Sequence, residues 1–222
     1  MIPIGDENPT KSYPWVNTLL LVANIGVFIY GFFHPGLYEA WVSRYAFVAA
    51  DFFRSPVQEA YRLVTYMFFH AGWMHLAGNM LFLYIFGDNV EDRLGHFAYL
   101  VLYCLGGIGG ALLQGWMIKG SIIPMVGASA AISAVVVVYA LFFPFKKVVT
   151  LFFFGFFLVP IRIPALIYIL FWVVMQVVNS VLMLGNIGLS GGVAYLAHLG
   201  GIGIGFLWAL FGPKKRSWNR SY

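Results

Sequence analysis

Four polar residues lie within long apolar stretches of the chain: His75, Asn79, Ser129 and His198. Polar side chains are costly in such surroundings, so each of them is a functional hypothesis. A serine hydroxyl becomes a nucleophile when an imidazole accepts its proton. Histidine and asparagine side chains can donate hydrogen bonds to the oxyanion that forms when a nucleophile attacks a carbonyl. These residue types therefore indicate nucleophilic catalysis, provided that the fold brings them together.

The residues around Ser129 favour this chemistry. Ser129 lies in the segment V-G-A-S-A-A, where Gly127 permits a tight turn and a helix is predicted to begin. The first backbone N–H groups of a helix have no intrahelical partner, and together with the helix dipole they can stabilise an oxyanion. Because the apolar stretches contain no Asp or Glu, we predict a Ser–His dyad, with His198 as general base, rather than a triad.

Each of these residues, taken alone, also has a simpler interpretation. A serine in a membrane helix usually bonds to its own backbone, and a single membrane histidine often serves in packing or proton relay. The i, i+4 pair of His75 and Asn79 can join two helices. No carboxylate or thiolate accompanies His70 and His75 at a matching depth, so we predict no metal site and no cofactor. The coincidence of all four residues at a similar depth favours catalysis.

The composition indicates an integral membrane protein. Hydrophobic residues make up 61% of the 222 residues and charged residues 9%, against about 25% charged residues in a soluble domain. These values exclude a water-soluble enzyme and a disordered chain, and the single Cys104 excludes an intrachain disulfide. A bilayer-crossing helix needs about 20 apolar residues. The uncharged stretches predict an all-α membrane protein with six transmembrane helices, at residues 15–33, 71–87, 96–117, 127–144, 164–184 and 192–211.

Two connections between the predicted helices are unusual. Residues 34–70 form a long first connection that stays hydrophobic, and we expect it to be structured and packed against the bundle. Residues 148–161 are apolar but too short to cross, which predicts an interfacial or partly buried connection, with a re-entrant segment as the alternative. The predicted organisation is an N-terminal tail (1–14), a six-helix membrane domain (15–211) and a basic C-terminal tail (212–222).

Lysine and arginine residues predict the orientation, because they are enriched in cytoplasmic segments. With the N-terminus inside, nine basic residues lie on the inner side and four on the outer side. The inner residues are Lys11, Arg93, Lys146, Lys147, Arg162, Lys214, Lys215, Arg216 and Arg220, and the outer ones are Arg44, Arg54, Arg62 and Lys119. This distribution predicts a multi-pass protein with both termini in the cytoplasm and with the candidate serine and histidines in the outer leaflet. The short tails favour a bacterial cytoplasmic membrane, and we expect no nucleic-acid partner.

Small residues predict which helices meet. Gly201 and Gly205 have the GxxxG spacing that lets two helices approach closely. Ala130, Ser133 and Ala134 give the fourth predicted helix a small face. Close packing of the fourth and sixth helices would bring His198 to Ser129.

At these residues the chain resembles the rhomboid family of intramembrane serine proteases, over nearly all of residues 15–211. The family's G-x-S-x motif matches 127–130, and its A-H-x-x-G-x-x-x-G motif matches 197–205. Its H-x-x-x-N motif matches His75 and Asn79, and His70 stands at a preceding family histidine. The motifs follow one another in the family's order, which makes the set far more specific than G-x-S alone.

The resemblance extends to residues with a structural role, although some positions of this chain differ from the family's pattern. Besides Gly127, Gly201 and Gly205, the support residues are Glu91 and Gly95 of the second-loop pattern E-x-x-x-G, and Arg62 of a first-loop Trp-Arg pair that reads Tyr61-Arg62 here. Ala130 replaces the usual glycine after the serine. Ser133 stands where many members have an aromatic residue that packs on the histidine. We therefore expect the group that orients this histidine to come from elsewhere.

The resemblance implies the roles of the site residues and the activity. Ser129 would be the nucleophile and His198 the general base, while His75, Asn79 and the Ser129 backbone N–H would form the oxyanion hole. The implied activity is that of an intramembrane serine endopeptidase, whose substrates are transmembrane proteins that enter from the lipid bilayer beside the fifth helix. The glycine-rich residues 185–191 are expected to move there as a lid.

Two other functions compete with this prediction. The first is a non-catalytic rhomboid-like protein that binds transmembrane clients, and the presence of both Ser129 and His198 disfavours it. The second is a small transporter, which would need charges or paired broken helices at the midplane. The sequence shows neither feature clearly, and nothing in it specifies an oligomeric state.

Overall fold

The structure is a computed structural model that describes residues 2–155, 157–185 and 194–213. Helices form most of it. In this part of the chain they are α1 (Trp15–Phe33), α2 (Pro35–Tyr45), α3 (Ala49–Arg54), α4 (Pro56–Glu59), α5 (Arg62–Thr65), α6 (Trp73–Leu94), α7 (His96–Met117), α8 (Ser129–Phe142), α9 (Ala165–Gly185) and α10 (Tyr195–Phe211). The bounds of α1 and α7 coincide with those of the first and third predicted helices. The predicted lid residues after Gly185 and the basic tail after Pro213 lie outside the described residues.

Three of the described helices are long and apolar enough to cross a membrane: α1, α7 and, over Ala165–Leu182, α9. The helices α8 and α10 are apolar but shorter. The helix α6 carries Asp88, Glu91, Asp92 and Arg93 near its end. The prediction of a mostly helical membrane protein is therefore confirmed, whereas six crossings stay a prediction.

The expectation of an all-α fold is wrong at one end of the bundle, where three strands form an antiparallel sheet. β1 (Ile2–Asp6) pairs with β2 (Lys147–Phe154), which pairs with β3 (Phe157–Pro164). Valine and phenylalanine dominate β2, and β3 holds Val159, Ile161 and Ile163; all of these residue types favour strands. Gly155 follows β2 with φ +60°, a conformation that glycine adopts at little cost. The segments 148–155 and 157–161 thus belong to a hairpin, and the first residues of the predicted tail join its sheet.

The segment between α1 and α6 folds into the short helices α2 to α5 and a 3₁₀ turn at Tyr66–Phe68. The Tyr66 side chain is buried, and its hydroxyl donates a hydrogen bond to the carbonyl of Gly107 on α7 at 2.8 Å. The Tyr66 carbonyl accepts a hydrogen bond from the N–H of Gly127 at 3.1 Å. This segment therefore holds the turn that leads into α8.

Three of the predicted support residues connect elements of the fold. Glu91 is 1% exposed, and its carboxylate accepts hydrogen bonds from two backbone N–H groups at the start of α1. Gly95 separates α6 from α7 at φ +85°, where a residue with a side chain would be strained. Arg62 Nε lies 2.6 Å from a carboxylate oxygen of Glu59, within the segment between α1 and α6.

The helix α10 packs closely on α8 because its glycines leave room. A Cβ atom on Gly201 would overlap the carbonyl oxygen of Ala130. A Cβ atom on Gly205 would lie 2.5 Å from the carbonyl oxygen of Ala134. The predicted contact between these two helices is therefore present, and their N-terminal ends lie side by side.

Candidate active site

The side chains of Ser129 and His198 meet where α8 and α10 begin. Ser129 Oγ lies 2.8 Å from His198 Nε2, which is hydrogen-bonding distance. Ser129 is the first residue of α8, and His198 lies in the first turn of α10. His198 is 7% exposed, so its ring is held by protein on most sides. The pair therefore has the geometry in which an imidazole can accept a serine proton.

A second contact fixes the beginning of α10. The backbone N–H of Ala197, next to His198, donates a hydrogen bond to Gln114 Oε1 on α7 at 3.1 Å. Gln114 is buried, and the same N–H also donates to the carbonyl of Ala194 at 3.0 Å, so the Ala197 N–H is shared between two acceptors. Together with the glycine contacts to α8, this bond sets where His198 stands relative to Ser129.

His75 and Asn79 lie on α6 beside the turn before Ser129. A Cβ atom on Gly127 would lie 2.7 Å from Cε1 and Nε2 of His75, and 3.7 Å from Nδ2 of Asn79. Gly127 has φ +124°, so both its conformation and its space exclude a side chain. Glycine at this position therefore lets His75 and Asn79 approach the backbone that carries the serine.

One donor of Asn79 is unpaired within the described chain, and His75 can present a donor from Nε2. Asn79 is 7% exposed, and its Nδ2 has no hydrogen-bond partner within the described chain. The backbone N–H of Ala71 donates to His75 Nδ1 at 3.4 Å. If Nδ1 accepts this bond, the ring proton stands on Nε2, the nitrogen near Gly127. Unpaired buried donors are rare and call for an explanation, and a developing oxyanion would supply one.

All four candidate residues line one cavity of about 750 Å³. Apolar side chains such as Met74, Phe82 and Ile132 form much of the rest of its wall. Such a cavity, mostly apolar with a few convergent polar groups, is typical of a ligand-binding site.

His198 has a partner on its other side that the sequence analysis missed. Its Nδ1 lies 2.7 Å from Oε1 of Gln176 on α9. The indole of Trp172, one turn earlier on α9, lies 6.3 Å from the imidazole, centroid to centroid, at an interplanar angle of 29°. Gln176 is a polar residue within an uncharged apolar stretch, so the rule that singled out Ser129 and His198 would also have found it.

The remaining predicted neighbours take structural positions. The hydroxyl of Ser133 donates to the carbonyl of Ser129 at 2.7 Å, the backbone bond that is usual for a helical serine. The rings of His70 and His75 lie 5.1 Å apart, and the backbone of His70 is bonded to the hydroxyl of Tyr38. Within the described residues, no group of three or more His, Cys, Asp or Glu side chains is placed to hold a metal ion.

The fold and the site define a class: a polytopic membrane protein with a Ser–His pair inside its helical bundle. Comparison with known families adds that a model of the Rhomboid domain matches residues 57–215. The chain belongs to the rhomboid family, which confirms the resemblance.

Three relatives illustrate the breadth of the family. Rhomboid-like protein 11, chloroplastic, of Arabidopsis thaliana is 42% identical over 72 residues, covering 32% of this chain and 25% of the relative. Rhomboid protein 1, mitochondrial, of Saccharomyces cerevisiae is 25% identical over 205 residues, covering 90% of this chain and 54% of the relative. Inactive rhomboid protein 1 of Drosophila melanogaster is 33% identical over 78 residues, covering 35% of this chain and 5% of the relative. The chain spans about a quarter of the length of the first relative and about half of the length of the second. The names of these two relatives place them in chloroplasts and mitochondria, so they do not support the prediction of a bacterial membrane.

Proposed function

We propose that the protein is an intramembrane serine protease that hydrolyses peptide bonds in or near the transmembrane segments of membrane-anchored substrates. The observation that carries the proposal is the 2.8 Å contact between Ser129 Oγ and His198 Nε2 in a cavity that His75 and Asn79 also line. Membership of the rhomboid family supports the same reaction class.

The reaction divides into acylation and deacylation. In acylation, His198 Nε2 takes the Ser129 proton while Oγ attacks the carbonyl carbon of the scissile peptide bond. The protonated imidazole then gives this proton to the leaving amine, and the C–N bond breaks. In deacylation, a water molecule loses a proton to His198 and attacks the acyl-enzyme, and the proton returns to Ser129 as the ester bond breaks.

The negative charge of each tetrahedral intermediate needs donors on one side of Ser129. His75 Nε2, Asn79 Nδ2 and the backbone N–H of Ser129 are the groups we assign to this oxyanion hole. The backbone N–H of Ser129 lies in the first turn of α8, where it has no intrahelical acceptor and where the helix dipole favours an anion. The unpaired Asn79 Nδ2 supports this assignment.

The proposal includes how the chain sits in the membrane. Six crossings with both termini in the cytoplasm would put the beginnings of α6, α8 and α10, and hence the cavity, in the outer leaflet. A substrate segment would enter from the lipid beside α9, and water would reach Ser129 from the outer side. Since a helix must unwind to expose its peptide bonds, helix-breaking residues are expected near the cleaved bond.

Replacing Ser129 with alanine tests the proposal. The purified protein is reconstituted in liposomes with a model transmembrane substrate, and cleavage is followed on gels. We expect Ser129→Ala to abolish cleavage, because the hydroxyl that attacks the carbonyl is gone. The matched control is Ser43→Ala, which removes an exposed hydroxyl on α2 and should leave the rate unchanged. Undiminished cleavage by Ser129→Ala would reject the assignment.

A non-catalytic rhomboid-like protein that binds transmembrane clients is the second candidate function. The family includes a relative whose name calls it inactive. A fluorophosphonate probe separates the two functions, because it labels a serine only when a neighbouring base activates its hydroxyl. We expect labelling of the unaltered protein and none of Ser129→Ala. A protein that resists the probe and does not cleave, yet retains client segments, would be such a binder.

A further inference from the structure

We infer that Gln176 is a positioning residue that holds the imidazole of His198 in the tautomer required of a general base. This inference rests on the proposed protease function and adds to it the group that orients the base. Neither the serine nor the histidine motif contains this residue, and it lies on a different helix, α9.

The two ring nitrogens of His198 have different partners. Nε2 lies 2.8 Å from Ser129 Oγ, and Nδ1 lies 2.7 Å from Gln176 Oε1. An amide oxygen only accepts hydrogen bonds, so the bond to Gln176 requires a proton on Nδ1. A neutral imidazole with its proton on Nδ1 presents a lone pair at Nε2. Gln176 therefore favours the state in which Nε2 can accept the proton of Ser129.

The described wall of the cavity offers His198 no carboxylate for this task. The described residues that line it include no Asp or Glu side chain. In a Ser–His–Asp triad, the acid both orients the imidazole and stabilises its protonated form. A neutral amide acceptor can orient the imidazole, but its dipole stabilises the protonated form only in part.

The helix α9 presents this residue on a narrow buried stripe. Tyr168, Gln176 and Ser180 are buried, and Trp172 is half-buried between them, which is the spacing of one helix face. Most other described side chains of this helix are exposed, among them Val174 and Val178. Because Trp172 and Gln176 both contact His198, this stripe supplies the orienting groups that Ser133 cannot.

A glutamine that merely joined α9 to α10 would make the same hydrogen bond. The two roles differ in what a substitution changes. Loss of a joining contact lowers stability, whereas loss of a positioning contact lowers kcat and alters the protonation of the ring. The experiment therefore compares kcat, KM, the pH profile and the tautomer of His198.

The kinetic arm uses two variants of Gln176 and one control in the liposome assay. Gln176→Leu removes the acceptor, and we expect kcat to fall about 10- to 100-fold with little change in KM, less than the ~10⁴-fold loss caused by the wrong tautomer in a triad. Gln176→Glu keeps an acceptor, so it should restore kcat to within about tenfold of the unaltered protein. Its carboxylate should also move the acidic limb of kcat/KM to higher pH, because it stabilises the imidazolium. Met175→Leu, next to Gln176 but 39% exposed, should match the unaltered protein.

The spectroscopic arm does not depend on cleavage. Ring-¹⁵N-labelled histidine is incorporated in the Ser129→Ala background, which removes the Ser129 hydroxyl and keeps the hydrogen bond from the imidazole to Gln176. The His198 signals are assigned by their loss in His198→Asn. We expect a protonated Nδ1 and an unprotonated Nε2, and Gln176→Leu should shift the proton toward Nε2. An unchanged tautomer together with a kcat within twofold of normal would overturn the inference. If the unaltered protein neither cleaves nor takes up the fluorophosphonate, the proposed function fails, while the tautomer still decides whether Gln176 positions the ring.

Discussion

Asn79, near the start of α6, and the carboxylates near the ends of α6 and α8 differ in their hydrogen-bond partners. Where these helices begin, buried Asn79 and His70 keep side-chain nitrogen atoms without partners in the described chain. Where they end, carboxylates are paired: Asp6 accepts a hydrogen bond from Tyr139, and Asp92 accepts two from the N-terminal segment. An unpaired buried donor costs about 1–3 kcal/mol. The paired carboxylates hold elements together, whereas Asn79, unlike His70, lines the cavity with its unpaired donor.

This difference predicts opposite responses to substitution. Asn79, at the cavity end, should matter for rate and little for stability, because its Nδ2 has no partner within the described chain to lose. A carboxylate at the sheet end should matter for stability and little for the rate of the folded molecules. Asn79 and Glu91, on the same helix, make the comparison direct.

Asn79→Ala has the largest expected effect of the substitutions that test this comparison. Removing one oxyanion donor typically lowers kcat about 100- to 1000-fold. The free energy of unfolding should change little, because Asn79 Nδ2 makes no hydrogen bond within the described chain. Both quantities are measured on the purified variant, kcat in liposomes and unfolding in mixed micelles.

The control for Asn79 is His34→Ala, which removes an exposed polar side chain at the end of α1 and should leave kcat unchanged. A loss below about threefold in Asn79→Ala would argue against its place in the oxyanion hole. A large loss of stability would instead show that Asn79 has a structural role, and the contrast between the two ends would disappear.

Glu91→Gln should produce an intermediate effect, and on stability rather than rate. The Glu91 carboxylate accepts hydrogen bonds from the N–H groups of Val16 and Asn17, at 3.0 and 2.7 Å, where the dipole of α1 favours an anion. The amide removes the charge and turns one acceptor into a donor. Hydrogen bonds to charged groups contribute about 1.5–3 kcal/mol each, so we expect the free energy of unfolding to fall by about 2 kcal/mol.

The matched control for Glu91 is Glu39→Gln, an exposed glutamate on α2 that should leave stability unchanged. The kcat of the molecules that remain folded should stay within about twofold for both variants, since neither residue lines the cavity. The structural role of Glu91 would be contradicted if Glu91→Gln left the free energy of unfolding undiminished. It would also be contradicted if this variant reduced kcat as far as Asn79→Ala does.

The contact between Ser129 and His198 was predicted from the sequence and the sheet was not, and the reason is physical. A polar residue in an apolar stretch stands out locally, and the spacing of Gly201 and Gly205 indicated which helices meet. The contact between Ser129 and His198 follows from those two facts. The charge-free stretches 12–38 and 94–118 enclose α1 and α7, because few other features compete in so apolar a chain.

The hairpin and the contact between Gln176 and His198 are two features that charge spacing and isolated polar residues did not predict. Counting charges shows that residues 148–161 are apolar, but it does not show whether their side chains alternate as in a strand. Valine and phenylalanine also suit a strand as well as a membrane segment. The central Gly155 was the local signal for a turn. Gln176 was visible as a polar residue, but its partner is 22 positions away in sequence, and only the packing of α9 on α10 brings the two together.

Asp6 in β1 supplies the smallest predicted effect, a pH dependence confined to the sheet end. Partial burial raises the pKa of Asp6 to about 6 from its usual 3.8, although the hydrogen bond from Tyr139 opposes the shift. The folded state therefore holds this proton more tightly than the unfolded state does. Its contribution to stability is fully present below about pH 4 and is lost as the pH rises to about 6. We expect this loss to be about 1 kcal/mol, because the remaining contact with water screens the carboxylate.

The test compares the unaltered protein with Asp6→Asn, which keeps the shape of the side chain and cannot ionise. Unfolding in mixed micelles is measured between pH 4 and pH 7, and the decline with rising pH should be about 1 kcal/mol smaller in the variant. The pH dependence of kcat should be the same in both proteins, because Asp6 and the cavity lie at opposite ends of α8. Equal slopes of stability in the two proteins would show that Asp6 does not titrate in this range, whereas a shifted kcat profile would show that the two ends communicate.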